Sequence, residues 1–218
     1  MQKRVINYQI VVCTPPLDHS GGVGTLFQYF NQSAPETAKV NFLDTRGYNF
    51  KPIFSIRPLI ITIVKLTKMK IFRHVNLVHL NIGIGGSTIR KGIIAFWVKY
   101  FLRLPVVLQV HSSSYPEFYF RQKTSRKRLI NRIFSFADLT LVLGHSMLDF
   151  GKNSLKIPGN KIDVFTMGVP DLYLSPFSPN NLEHNILFAG ELGARKGFPQ
   201  LLEACLLYTS DAADDTPC

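Results

Sequence analysis

Val106-Val-Leu-Gln-Val110 runs directly into His111-Ser-Ser-Ser-Tyr115, and this junction of a short apolar segment with a small polar loop decides the fold class. A strand that is apolar at consecutive positions has to bury both faces, the condition of a strand inside a parallel sheet covered by helices on each side. Leu139-Thr-Leu-Val-Leu143 has the same character. Working outward, strands are expected also at Ile6–Cys13, Val40–Asp44, Leu77–Asn81, Ile162–Phe165 and Ile186–Ala189. Between them, helical spacing of apolar residues marks Val23–Gln32, Arg57–Phe72, Ile89–Leu102, Lys123–Phe136, Ser146–Leu155 and a segment from Gly197 onward. Strands alternating with helices specify an α/β chain with a doubly wound parallel sheet.

Composition agrees. The 218 residues are 46% hydrophobic and 18% charged, enough apolar content for a sizeable core and too much for a disordered chain. Cys13, Cys205 and Cys218 show no metal-ligand spacing and are too few for a disulfide framework, which places the chain in a reducing compartment, the cytoplasm. The basic-then-apolar start MQKRVINYQIVVC is interrupted by Asn7 and Gln9 and ends without a small-residue cleavage site, so it reads as a first strand and not a signal peptide. Phe54 to Phe72, the most apolar long segment, contains Arg57, Lys65, Lys68 and Lys70, which excludes a bilayer-spanning helix.

The formal charge of +11 gives a positive potential suited to nucleic acid, anionic lipid headgroups or phosphorylated small molecules. The cations concentrate in Lys65 to Arg73 and in Arg121 to Arg132. The second segment, with Leu129, Ile130, Ile133 and Phe134 near helical spacing, has the pattern of a cationic amphipathic helix.

In a doubly wound sheet, ligands bind beyond the carboxyl ends of the strands. After the first strand comes Thr14-Pro-Pro-Leu-Asp-His-Ser-Gly21-Gly22-Val-Gly24-Thr25, whose glycines admit close backbone approach and whose helix offers free amides. The dinucleotide pattern GxGxxG is not met, and Asp44 alone ends the next strand with an acid. A second glycine-rich turn follows at Asn81-Ile-Gly83-Ile-Gly85-Gly86-Ser87, for which close helix packing is sufficient explanation. His111 sits at a strand's carboxyl end, facing the crevice. In Gly144-His145-Ser146, Ser146 is expected to cap the next helix. Met167-Gly168-Val169-Pro170 closes the series, and residues 175–184 have the composition of a linker. Ile186 to Ala204 then places Arg195 and Lys196 on a glycine turn between a strand and a helix start, an anion-binding arrangement that opens a second domain.

Five of these features, in this order, resemble the retaining nucleotide-sugar glycosyltransferases of the GT-B fold, in particular the large family four. They are Gly21-Gly22-Val23-Gly24, the strand-end His111, the run Ala137-Asp138 to Ser146, Met167 to Pro170, and Leu187-Phe188-Ala-Gly190-Glu191-Leu192 leading to Arg195-Lys196-Gly197. The resemblance covers residues 4 to 204. It implies a Rossmann-like acceptor-side domain over residues 1–174, a linker over 175–184, and the start of a nucleotide-sugar domain over 185–204.

The resemblance implies transfer of a sugar from a nucleotide-diphosphate donor to an acceptor hydroxyl with retention, in the synthesis of cell-surface polysaccharide or glycolipid. No metal or cofactor is expected beyond the donor as co-substrate, so protein charge must stabilise the leaving diphosphate. Arg195 and Lys196 match the family's cations, although Glu191 stands where many members have arginine. His111 would lie near the reacting sugar, and Gly21, Gly22 and Gly24 would approach donor phosphate or acceptor. The expected partners are the nucleotide sugar, a glycan or lipid-linked acceptor and an anionic membrane surface at the inner face, with no nucleic acid. No pair of carboxylates suited to glycoside hydrolysis stands out in these loops, Asp18 and Glu117 being isolated. A GT-B nucleotide-sugar epimerase and a non-catalytic sugar- or anion-binding protein are the alternatives.

Cys205 to Asp215 resembles an in-frame translation of the transposon-end adapter of sequencing libraries, so residues 205–218 are expected to be a non-native tail that cuts the second domain short. Most of the donor site would then be missing, and the 218-residue chain is expected to be inactive by itself.

Overall fold

The computed structural model describes residues 8–14, 22–45, 56–166, 168, 186–190 and 192–214. Contacts divide the chain into two units, Met1–Asp171 and Leu172–Cys218. In the first unit, β1 (Tyr8–Thr14), β2 (Ala38–Asp44), β3 (Leu77–Ile82), β4 (Val106–Val110), β5 (Leu139–Val142) and β6 (Ile162–Val164) form one sheet. Its order is β2-β1-β3-β4-β5-β6, and every pairing is parallel. The helices are α1 (Gly22–Gln32), α2 (Ile56–Arg73), α3 (Gly86–Trp97), α4 (Tyr115–Phe120), α5 (Thr124–Ser135) and α6 (His145–Asn153). This is the expected doubly wound α/β architecture, Rossmann-like in general shape.

The register shows why the strands are apolar on both sides. Val11 and Cys13 of β1 align with Val78 and Leu80 of β3, and these with Val106 and Leu108 of β4. That face is packed by Leu66 of α2, Ile94 and Ala95 of α3, Ile130, Ile133 and Phe134 of α5, and Met147 and Phe150 of α6. Val12, His79 and Val107 share the other face, where Phe27 of α1 packs against Phe42 and His79. Burial of this apolar surface, at roughly 25 cal/mol per Å², is what holds the layers together.

Close approach of α3 to α5 depends on Gly92: a Cβ there would lie 2.6 Å from Cδ1 and Cγ1 of Ile133. α3 runs on into a π-helical turn, Val98–Leu102, which Arg103 ends in the left-handed region at φ 52°. α4 was not expected from the sequence. Pro116 is accommodated in its first turn, and it buries Tyr115 and Tyr119 while leaving Phe120 outside.

The second unit corrects one expectation. Residues 186–189 are not a strand, and Leu187 is 89% exposed. A strand needs neighbours to take its backbone groups, and the described residues of this unit contain none. A 3-10 turn, Ala194–Lys196, is closed by Gly197 at φ 78° and leads into α7 (Phe198–Asp214). The helix continues through Cys205 and does not stop at Ala204. Its last turn carries no basic residue and holds Asp211 and Asp214, the unfavourable sign for a helix C-terminus. The linker 175–184 and Cys218 lie outside the described residues.

Candidate functional site

From β1 the chain passes to β2 on one side, and from β2 it crosses to β3 on the other side of β1. The connections leaving β1 and β3 therefore diverge, the point in an open α/β sheet beyond whose strand ends ligands bind. The described strand ends there are cross-linked. The Thr45 N–H donates to the Thr14 carbonyl at 3.2 Å and the His111 N–H to the Ile82 carbonyl at 3.4 Å. The Asn81 side-chain amide donates to Thr14 Oγ1 at 3.4 Å. Asp44, the last residue of β2, accepts Thr62 Oγ1 of α2 on its carbonyl at 2.9 Å.

His111 stands at the end of β4, on the face covered by α1. Its ring meets Phe27 at 5.6 Å between centroids, and His79 of β3 meets the same Phe27 at 6.0 Å. Both Nε2 atoms are buried without a hydrogen-bond partner, as are both amide atoms of the fully buried Gln109. Burial pushes the His111 imidazole down to about 4. His79 is also pushed down to about 4, by burial first and then by the positive charge of His111; Gln109 opposes this from a position short of a hydrogen bond. Both rings are neutral at pH 7, and each can offer or accept one hydrogen bond per nitrogen. Each unpartnered buried group costs about 1–3 kcal/mol, so the cluster is expensive unless polar groups of a ligand or solvent complete it. His79 and Gln109 were not singled out from the sequence, where they sit inside apolar strands.

On the opposite face, Lys91 of α3 is 2% exposed and its ammonium donates to Thr45 Oγ1. Burial lowers its pKa to about 8, against the opposing pull of Cys13. Cys13, fully buried at the end of β1, is pushed up to about 11 by the same desolvation.

The glycine loops differ in kind. Gly22 opens α1 and Gly24 lies buried in its first turn, where helix amides have no i−4 acceptor; Gly21 is outside the described residues. The loop at Gly83 closes on itself. Its N–H donates to Ser87 Oγ at 3.2 Å, its carbonyl accepts Thr88 Oγ1 at 2.7 Å, and Gly85 turns the chain at φ 66°. Thr88 Oγ1 also pairs with Tyr115 OH at 3.1 Å, which anchors α4. Ser146 is not the cap of α6: that position is Gly144, with no side-chain cap. The helix begins one residue earlier than expected, which places Ser146 already inside its first turn.

His111 thus packs on Phe27 of α1, the helix that Gly22 opens. Lys196 belongs to the second unit, exposed on the 3-10 turn before α7, with its Cγ 3.8 Å from where a Cβ on Gly190 would be. Arg195 shares that turn, its side chain outside the described set. Among the described residues no group of three or more His, Cys, Asp or Glu is placed to hold a metal ion, and no helix is long and apolar enough to cross a membrane. No protein-family model matches the sequence, and no curated protein matches it.

Proposed function

We propose that the first unit is the acceptor-side domain of a retaining nucleotide-sugar glycosyltransferase of the GT-B type, as the order of sequence motifs suggests. The observation that carries this is the polar cluster of His111 just after β4, Gln109 within β4 and His79 further down β3, whose unpartnered buried atoms suit the hydroxyl array of a sugar. A neutral His111 hydrogen-bonds a sugar hydroxyl; it does not serve as a cationic acid. The N-terminus of α1, whose Phe27 packs on His111, supplies backbone donors to an anionic group. Arg195 and Lys196 stand before the α7 N-terminus, where the helix dipole disfavours cations, so a diphosphate is the natural counterpart of both the amides and the side chains.

A nucleotide-diphosphate donor needs a second α/β domain for its nucleotide, and residues 186–214 contribute a turn and a helix of one. The decisive experiment is sugar transfer by the product of the genomic reading frame that contains codons 1–204, beside the 218-residue chain and a His111→Ala variant. Transfer by the genomic product, its loss in His111→Ala and silence of the 218-residue chain are expected. Absence of transfer by the genomic product, or full turnover in His111→Ala, would overturn the assignment; turnover by the 218-residue chain would overturn only the expectation that this chain is inactive by itself.

A further inference from the structure

Between Asp44 and Glu117 the sequence contains no aspartate or glutamate, while eleven of its twenty-five lysines and arginines fall there. Those residues include α2 and α3, which pack side by side: the Trp97 indole N–H donates to Thr67 Oγ1 at 3.1 Å. Ile60, Val64 and Ile71 lie one or two helical turns from Thr67 on neighbouring positions of α2, and all three are exposed. Phe72, beside them, is 76% exposed. α3 continues the apolar surface with Ile89, Ile93, Phe96 and Tyr100 at helical spacing, all exposed, and with Phe101, which stacks on Trp97 at 4.3 Å. Arg57, Lys65 and Lys68 alternate with the apolar residues on the outer side of α2.

We propose that this joint α2/α3 surface docks on an anionic lipid bilayer. Isoleucine and phenylalanine side chains among cations, with no acid to repel phosphate headgroups, are the two complementary halves of an interfacial contact. The other basic segment is different in kind. α5 turns Ile130, Ile133 and Phe134 into the protein core, so its apolar stripe is already used. Lys127 lies over the Tyr119 and Phe120 rings at 5.5 and 5.7 Å, and Arg126 donates to Gln122. The sequence offers both basic segments, Lys65 to Arg73 and Arg121 to Arg132, for such a contact; burial of the α5 stripe leaves it to the first, on α2, joined by α3.

The test uses co-sedimentation with vesicles of phosphatidylcholine alone or mixed with phosphatidylglycerol, read in parallel through the fluorescence of Trp97, the chain's single tryptophan. Binding to mixed vesicles with a blue shift of Trp97, little binding to neutral ones, and release by high salt are expected. Lys65→Glu/Lys68→Glu and Ile71→Ser/Phe72→Ser each weaken binding by about tenfold or more, with thermal midpoints unchanged because all four positions are exposed. Arg126→Glu/Arg128→Glu on α5 leaves binding within about twofold. Equal binding to neutral vesicles, absence of binding, or an equal loss from the α5 pair would overturn the proposal. A reversible dimer abolished by Ile71→Ser/Phe72→Ser, without vesicle binding, would assign the surface to a second copy instead. None of these outcomes depends on sugar transfer.

Discussion

His111 and Phe27 meet edge to face at 5.6 Å, so the end of β4 and the first helix of the sheet share one contact, and His79 reaches the same ring from β3. Both imidazoles titrate at about 4 in the folded chain against an ordinary 6.5. Between these values the unfolded chain takes up protons that the folded chain refuses. The histidines' contribution to stability is therefore full above about pH 6.5 and is lost as the pH falls toward 4, by about 3 kcal/mol for His79. Urea midpoints across that range measure it. His79→Leu should leave a smaller decline carried by His111, and a flat wild-type profile would mean that the rings are solvated and charged.

On the opposite face the signs differ. Lys91 titrates at about 8 when folded and 10.5 when not, so its burial penalty is present below pH 8 and is relieved as the pH rises. Cys13 is raised from 9.0 to about 11, so it costs stability above pH 9. The expected profile climbs between about pH 8 and 9 and then levels. Lys91→Met removes the climb, leaving the decline above pH 9, and stabilises the chain at pH 7 by on the order of 1 kcal/mol because a buried charge disappears. Destabilisation by Lys91→Met at pH 7 would show that the bond to Thr45 outweighs desolvation.

The sheet was legible in the sequence because β-branched segments such as Val106–Val110 state their own burial. α4 was not, since Tyr-Pro-Glu-Phe-Tyr-Phe has a proline and no apolar stripe of helical length, and its helix is set by burial of Tyr115 and Tyr119 in the core. Residues 186–189 failed in the other direction: local propensity favours a strand, and no described neighbour is there to pair with it. Of the site, His111 could be found from its position after a strand. His79 and Gln109 were masked by their apolar surroundings, although a usable signal existed. His79 and Asn81 on β3, and Gln109 and His111 on β4, are spaced by two, which puts each pair on one face of a sheet.

At the α3–α5 contact, Gly92→Ala forces a methyl to within 2.6 Å of Ile133. Overpacking of this kind costs about 1–3 kcal/mol. In the double variant with Ile133→Ala the clash is gone, so the glycine substitution should add almost nothing to the cost of Ile133→Ala alone. Denaturant unfolding of the four proteins in that cycle measures the coupling, and strict additivity would mean that the helices separate freely.

Arg195 and Lys196 pose the last question, because their turn ends at Gly197 and the next residue begins α7. Positive charge at a helix N-terminus is opposed by the dipole, so removing it should not destabilise the protein and should favour the helix by about 0.3–1 kcal/mol. If these side chains meet the diphosphate, that small gain is exchanged for a large loss in donor recognition, through charge-assisted hydrogen bonds of about 1.5–3 kcal/mol each. In the product of the genomic reading frame, Arg195→Ala and Lys196→Ala should each raise the donor KM by about tenfold or more. The effect should shrink at high salt and leave the acceptor KM unaltered. An unchanged donor KM in both variants would place the diphosphate on other cations and leave these two as solvated residues of a turn.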